Sequence, residues 1–211
     1  MEFHDLKSRH AGNRAWIVGT GPSLDAFDWS IGPDDFLIVI HRAFGVAQIA
    51  PGRTYWQVLD DAWGNGVPGP WTEWRDDIMR GNGATGLFLD PLFSGTKPGT
   101  PAPRHPNIVR FGTPMKGQRD ILHWSSDVLA DRGLLYTYAG SGCTALHAAA
   151  YMGAVECVFV GLDGGDGYAK CLSAWYDEPA KGGFGYVMPR DFLCEAAEIL
   201  DMNVRDLAVG D

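Results

Sequence analysis

No apolar stretch in the sequence approaches the length needed to cross a bilayer, and the opening residues Met1-Glu2-Phe3-His4-Asp5 are charged, without an apolar signal core. These two absences predict a cytoplasmic protein with no membrane span. Cations are also scarce: 17 Lys and Arg stand against 26 Asp and Glu, for a formal charge of −9 at pH 7. Such a balance argues against non-specific nucleic-acid binding, although a local basic patch can survive in it. The four cysteines, Cys143, Cys157, Cys171 and Cys194, never take Cys-x-x-Cys spacing. Three sit among apolar neighbours, which predicts small buried thiols in a reducing compartment. No repeat, low-complexity tract or linker interrupts the 211 residues, so one domain is expected.

What is present is organised around Ala15-Trp16-Ile17-Val18-Gly19-Thr20-Gly21-Pro22-Ser23-Leu24. An apolar run that breaks into Gly-x-Gly-Pro-Ser is how a buried strand enters a phosphate-binding turn. Gly19 and Gly21 let backbone approach a ligand, Pro22 suits a first helical position, and Ser23 brings a hydroxyl and N–H groups toward an anion. The spacing is not the dinucleotide Gly-x-Gly-x-x-Gly, because Leu24 takes the third glycine position. Without a ligand the same residues make a strand-to-helix turn.

Further strands follow at Phe36-Leu37-Ile38-Val39-Ile40, ending in His41-Arg42, and at Tyr55-Trp56-Gln57-Val58-Leu59, ending in Asp60-Asp61. Continuous apolar runs of this kind belong to parallel sheets buried on both faces. Polar or glycine residues thus fall at one edge of three successive strands, the edge at which open α/β sheets bind ligands. A short helix is predicted over 72–79 and strands over 86–89 and 108–111. Between them, residues 91–119 form a Pro- and Gly-rich loop carrying Lys97, Arg104, His105, Arg110, Lys116 and Arg119. Singly these are solvated loop charges; as a group they could close over an anion.

The second strong signal is Gly140-Ser141-Gly142-Cys143-Thr144-Ala145-Leu146-His147, which continues through alanines to Gly153 and then an apolar strand ending Gly161-Leu162-Asp163. Ser141 or Thr144 could cap the helix, and its N–H groups make a second anion site. Residues 164–187 read as a flap bearing Tyr168 and Tyr176. A helix over 191–202 and a strand over 203–207 complete the chain. The fold class is α/β, Rossmann-like, with a mainly parallel sheet and helices on both faces.

The stretch from Arg9 to Leu24 resembles the opening of a broad Rossmann-like superfamily: a basic segment, an apolar strand and Gly-Asn-Gly-Pro-Ser-Leu. That superfamily includes 6-hydroxymethylpterin pyrophosphokinase-like proteins, flagellin-glycosylation accessory proteins and CMP-sialic-acid-dependent bacterial sialyltransferases. His41-Arg42-Ala43-Phe44, the strand ending in Asp60, and Ser141-Gly142-Cys143-Thr144 through Asp163 are similar to its later blocks, in the same order. In the sialyltransferase-like members the glycine turn and the Ser/Thr-Gly helix start hold the nucleotide, and flap tyrosines contact the phosphates. The resemblance therefore implies nucleotide binding by Gly19, Thr20, Gly21, Pro22, Ser23, Arg42, Ser141, Gly142, Thr144, Tyr168 and Tyr176. Two departures stand out. Thr20 and His41 each replace an Asn, and no histidine follows Asp163, the region where the sialyltransferases place their general base.

Three activities fit this pattern. The first is glycosyl transfer from a nucleotide sugar, CMP-linked by the resemblance, to a hydroxyl acceptor, with His41, Asp60 or Asp163 as base. The second is magnesium-dependent diphosphate transfer from ATP. Asp60 and Asp61 would then be the metal candidates, carboxylates suited to magnesium or manganese, with only one of two adjacent strand residues facing the site. The third is a nucleotide-binding protein without catalysis. Trp63, Trp71, Trp74 and Trp175, expected in loops, would stack on a ligand ring or mark a homo-oligomer surface.

Overall fold

The computed structural model describes residues 1–59, 70–90, 101–113, 126–136, 140–163, 167–175 and 190–207. Seven strands form one sheet: β1 (Arg14–Val18), β2 (Phe36–Ile40), β3 (Thr54–Val58), β4 (Thr85–Leu89), β5 (Ile108–Phe111), β6 (Glu156–Val160) and β7 (Asn203–Asp206). Their order is β5-β4-β3-β2-β1-β6-β7, and every neighbouring pair is parallel. The expected Rossmann-like α/β architecture is therefore present. Among the described residues four α-helices accompany the sheet: α1 (Trp71–Arg80), α2 (Ser126–Asp131), α3 (Ser141–Tyr151) and α4 (Arg190–Ile199). The turn after β1 is a 3₁₀ helix over Pro22–Ala26 with proline at its start, and a second one follows β2 at His41–Gly45.

The continuous apolar strands divide their side chains between two cores, as a period of two requires. Ile17, Ile38, Ile40, Tyr55, Leu87 and Phe159 face the layer containing α3. Val18, Leu37, Val39, Trp56, Phe88 and Val160 face the layer containing α1 and the 3₁₀ turns. Trp71 and Trp74 belong to α1, Trp74 within the helix expected over 72–79 and Trp71 one residue ahead of it rather than in a loop; Trp71 stacks on Trp56 at 5.9 Å and Trp74 meets it edge-on at 5.8 Å. Two thiols, Cys143 and Cys157, are buried, whereas Cys171 and Cys194 are exposed, so the buried count is lower than their apolar neighbours suggest. Cys171 lies on a 3₁₀ turn whose backbone donates to the Asp25 carboxylate.

Helix α3 lies against the sheet, with the small side chains of Ala145, Ala148 and Ala149 fully buried beside Cys143 and Leu146. It ends in a Schellman arrangement, Gly153 N–H donating to the Ala150 carbonyl and Ala154 N–H to Ala149, with Gly153 at φ +87°. The segment before β1 runs past this end. Backbone N–H groups of Ser8, His10 and Gly12 donate to the carbonyls of Tyr151, Met152 and Gly153. Carbonyls that a helix C-terminus leaves without intrahelical partners are satisfied in this way.

His10 is buried at the opposite edge of the sheet from the predicted ligand site. Its ring stacks on Phe36 at 4.3 Å and its Nε2 lies 2.8 Å from the Tyr55 hydroxyl. Burial, with help from the Arg9 and Arg53 charges, pushes the imidazole down from 6.5 to about 4, and burial raises Tyr55 to about 12. The native state thus keeps His10 neutral while the unfolded chain takes up a proton near 6.5. The unfolded state binds more protons between these values, so stability falls as pH drops through that window. Denaturant midpoints measured from pH 7 to pH 4 are expected to decline for the wild type. His10→Gln, which cannot titrate, should decline less over the same range; an unchanged slope would contradict the assignment.

Candidate functional site

β1 lies between β2 and β6, so the chain builds outward on one side through β5 and on the other through β7. The carboxyl ends at such a reversal are where ligands bind in open α/β sheets. Here the turns after β1 and β6 close directly on each other. Gly19 N–H donates to the Val160 carbonyl at 2.8 Å and Gly21 N–H to the Gly161 carbonyl at 2.7 Å. Gly161 N–H donates to Ser23 Oγ at 2.8 Å, and Ser23 N–H donates to Asp163 Oδ2 at 3.1 Å. A Cβ added at Gly19 would lie 2.3 Å from the Gly161 oxygen, and one at Gly21 would lie 2.0 Å from Asp163 Oδ2. The glycines do permit a close approach, but the group that approaches is the chain's own: the Asp163 carboxylate sits at the turn where an anion would sit. Thr20 is tied to the segment after β6, its carbonyl accepting from Ala169 N–H, with half-buried Tyr168 alongside.

A second cluster forms at the neighbouring strand ends. His41 follows β2 at φ +49°, a left-handed conformation that costs a non-glycine residue about 1 kcal/mol or more. It is held by Trp56, whose Nε1 donates to the His41 carbonyl at 2.8 Å. His41 Nε2 lies 2.9 Å from Ser141 Oγ at the first turn of α3, and the ring meets Trp71 edge-on at 6.1 Å. The Arg42 guanidinium lies over the Trp71 ring at 5.8 Å. His41 therefore bridges the two layers, with α3 on one side and α1 on the other.

The start of α3 departs from the capping expectation. Its N-cap is Gly140, at φ +104°, which has no side chain to cap it, and no side chain of the described residues takes that place. The Ser141 hydroxyl meets His41, while buried Thr144 turns its hydroxyl back to the Gly140 carbonyl at 3.3 Å. The end of a helix of this length carries positive potential and forward-pointing N–H groups. Buried Gly142 follows Ser141 without a Cβ to cover them.

One residue of this cluster escaped the sequence reading. Gln57, fully buried, donates from Nε2 to the Ser141 carbonyl at 2.7 Å, and its Oε1 has no hydrogen-bond partner. Trp71 Nε1 is likewise buried and unpartnered. The available signal was Gln57 itself, an amide within the apolar run Tyr55-Trp56-Gln57-Val58.

Of the predicted site residues, His41, Arg42, Ser141, Gly142 and Thr144 thus gather at the start of α3. Gly19, Thr20, Gly21, Pro22, Ser23, Asp163 and Tyr168 gather at the interlocked turns, one strand away. Asp60, Asp61 and Tyr176 lie outside the described residues. Among the described residues no group of three His, Cys, Asp or Glu side chains is placed to share a metal ion. His147 is a buried acceptor for Tyr136 N–H, consistent with packing. Arg104, His105 and Arg110 line a cavity of about 420 Å³ at the β5 edge, away from His41. There Arg110 is paired with the fully buried Asp90 carboxylate at 2.9 Å.

The chain matches no family model, no curated protein and no solved structure.

The contact between Gly21 and Asp163 makes a quantitative expectation. Gly21→Ala forces a methyl against the carboxylate and should cost roughly 1–3 kcal/mol in urea denaturation, the range for overpacking. Asp163→Ala removes the obstacle, so the double variant should be less destabilised than the sum of the singles by about 1 kcal/mol. Strict additivity would mean that the two residues do not press on each other.

Proposed function

We propose that the chain binds a nucleotide-linked sugar at the carboxyl edge of the sheet and transfers the sugar to a hydroxyl acceptor, with His41 as the base. The observation that carries this reading is the His41 to Ser141 contact at the uncapped start of α3. A leaving nucleotide phosphate needs hydrogen-bond donors aimed at its developing charge. The first N–H groups of α3, the Ser141 hydroxyl and the Arg42 guanidinium supply them.

In the tautomer that carries its proton on Nδ1, His41 accepts the Ser141 hydroxyl hydrogen at Nε2, the state a base requires. A phosphate arriving at the helix start can take over that hydroxyl hydrogen and release Nε2 toward the acceptor. The acceptor oxygen then bonds to the anomeric carbon as the bond from that carbon to the phosphate oxygen breaks. The electron pair leaves with the nucleotide, and the acceptor proton goes to His41. Asp163, engaged by Ser23 N–H, is better suited to holding the turn than to this proton transfer.

The reading is tested by melting curves of purified protein with CMP, CDP, UDP, GDP, ADP and ATP, each with and without magnesium. A ligand that binds only the native state stabilises by about 2.7 kcal/mol at a hundred times its Kd, a shift of several degrees in a chain of this size. Ser141→Ala should reduce that shift. His41→Asn should keep it but lower nucleotide release from the matching nucleotide sugar by about 10²-fold or more, the usual loss for a general base. A magnesium-dependent ATP response would favour diphosphate transfer instead. No response to any nucleotide would end the proposal, and binding without turnover would leave the non-catalytic reading.

A further inference from the structure

Gln57 is an unusual choice for its position. It lies in the interior of an all-parallel sheet, at 0 % exposure, on the face that receives α3. Its amide orientation is fixed by its one contact, because only the nitrogen can donate to the Ser141 carbonyl at 2.7 Å. Oε1 is thereby left as a buried acceptor with no donor. Leaving such a group unsatisfied costs stability, whereas an apolar residue of similar volume at the same place would cost little. The orphaned oxygen belongs to a side chain bonded to the carbonyl of Ser141, the first residue of α3 and the residue whose hydroxyl lies against His41.

We infer that Gln57 is the specificity-determining residue of this site, its Oε1 accepting a hydrogen from a ligand hydroxyl, and that the ligand class it selects is a nucleotide with an intact ribose. The inference rests on the nucleotide reading proposed above and deepens it. A phosphate dianion at the helix start offers only acceptor oxygens, which suit N–H groups and Arg42 but do nothing for Gln57 Oε1. The hydrogen that Oε1 lacks must come from the rest of the ligand. In a 5′-nucleotide the donors nearest the phosphate are the ribose hydroxyls; the base amino groups lie farther off. A site built to accept a hydroxyl hydrogen rejects the analogue that lacks it, because its own buried acceptor is left unpaired again.

The test compares wild type, Gln57→Met and Gln57→Leu by melting temperature and by calorimetric titration. The ligands are CMP and UDP and their 2′,3′-dideoxy counterparts. The expected result has two parts. Without ligand, at least one apolar variant melts at or above the wild-type temperature, since it removes an unsatisfied polar group. With ligand, wild type binds the ribonucleotide about tenfold or more tightly than the dideoxy form, and the variants lose that preference. Equal binding of the two forms by wild type overturns the inference. So does a loss of several degrees in both ligand-free variants, which would make Gln57 a structural residue. If an apolar variant gains stability but wild type responds to no nucleotide, the ribose assignment falls together with the proposed function. The persisting stability gain then tells that failure from a misread Gln57.

Discussion

The backbone of the turn after β1 touches the backbone of the turn after β6 so closely that no side chain fits between them, and the carboxyl edge of the sheet is arranged around that contact. Hydrogen bonds run both ways across it, from Gly19 and Gly21 toward β6 and from Gly161 toward Ser23. Glycine is required on both sides for different reasons. Gly161 sits at φ +67°, a conformation side chains rarely adopt, and a Cβ there would also lie 2.5 Å from the Gly19 oxygen, while Gly19 and Gly21 need only the space.

His41 and α3 depend on each other across that edge. The helix packs on the sheet through alanines, which bring its axis near enough for a strand side chain, Gln57, to reach the Ser141 carbonyl. A larger residue at Ala145 or Ala148 would lift the helix and separate both Gln57 and His41 from it. The strained backbone of His41 is stabilised from the other layer, by the Trp56 indole and by the aromatic packing of Trp56 with Trp71, Trp74 and Phe44. One residue is thus positioned by contacts from both cores, as expected where a site sits on rigid elements.

Most of the fold was legible because buried parallel strands announce themselves as unbroken apolar runs bounded by polar or glycine residues. Phe36 to Ile40 and the Ser141 to Gly153 helix are read from the sequence almost to the residue. The strand order was not legible, because nothing local distinguishes a strand that extends one side of a sheet from one that extends the other. The glycine turn was legible as a place of close approach, but its partner was not: Asp163 lies 140 residues from Ser23, and only the fold brings them together. Ser141 and Thr144 looked like caps because hydroxyls near a helix start usually are. His41 and the Gly140 carbonyl offered those hydroxyls other partners. Gln57 passed unnoticed because one amide hardly disturbs an apolar run, though its burial is what makes it informative.

Helix α3 is held at both ends. At its start Gln57 and His41 hold Ser141; at its finish the segment from Ser8 to Gly12 takes up its last carbonyls. Eleven residues at 1.5 Å each make it a strut about 16 Å long. A strut fixed at both ends transmits axial displacement with little loss. The residues ahead of β1, at the far end of the helix from His41, therefore set the height at which Ser141 meets His41, and whatever loosens them would be felt at the opposite edge of the sheet.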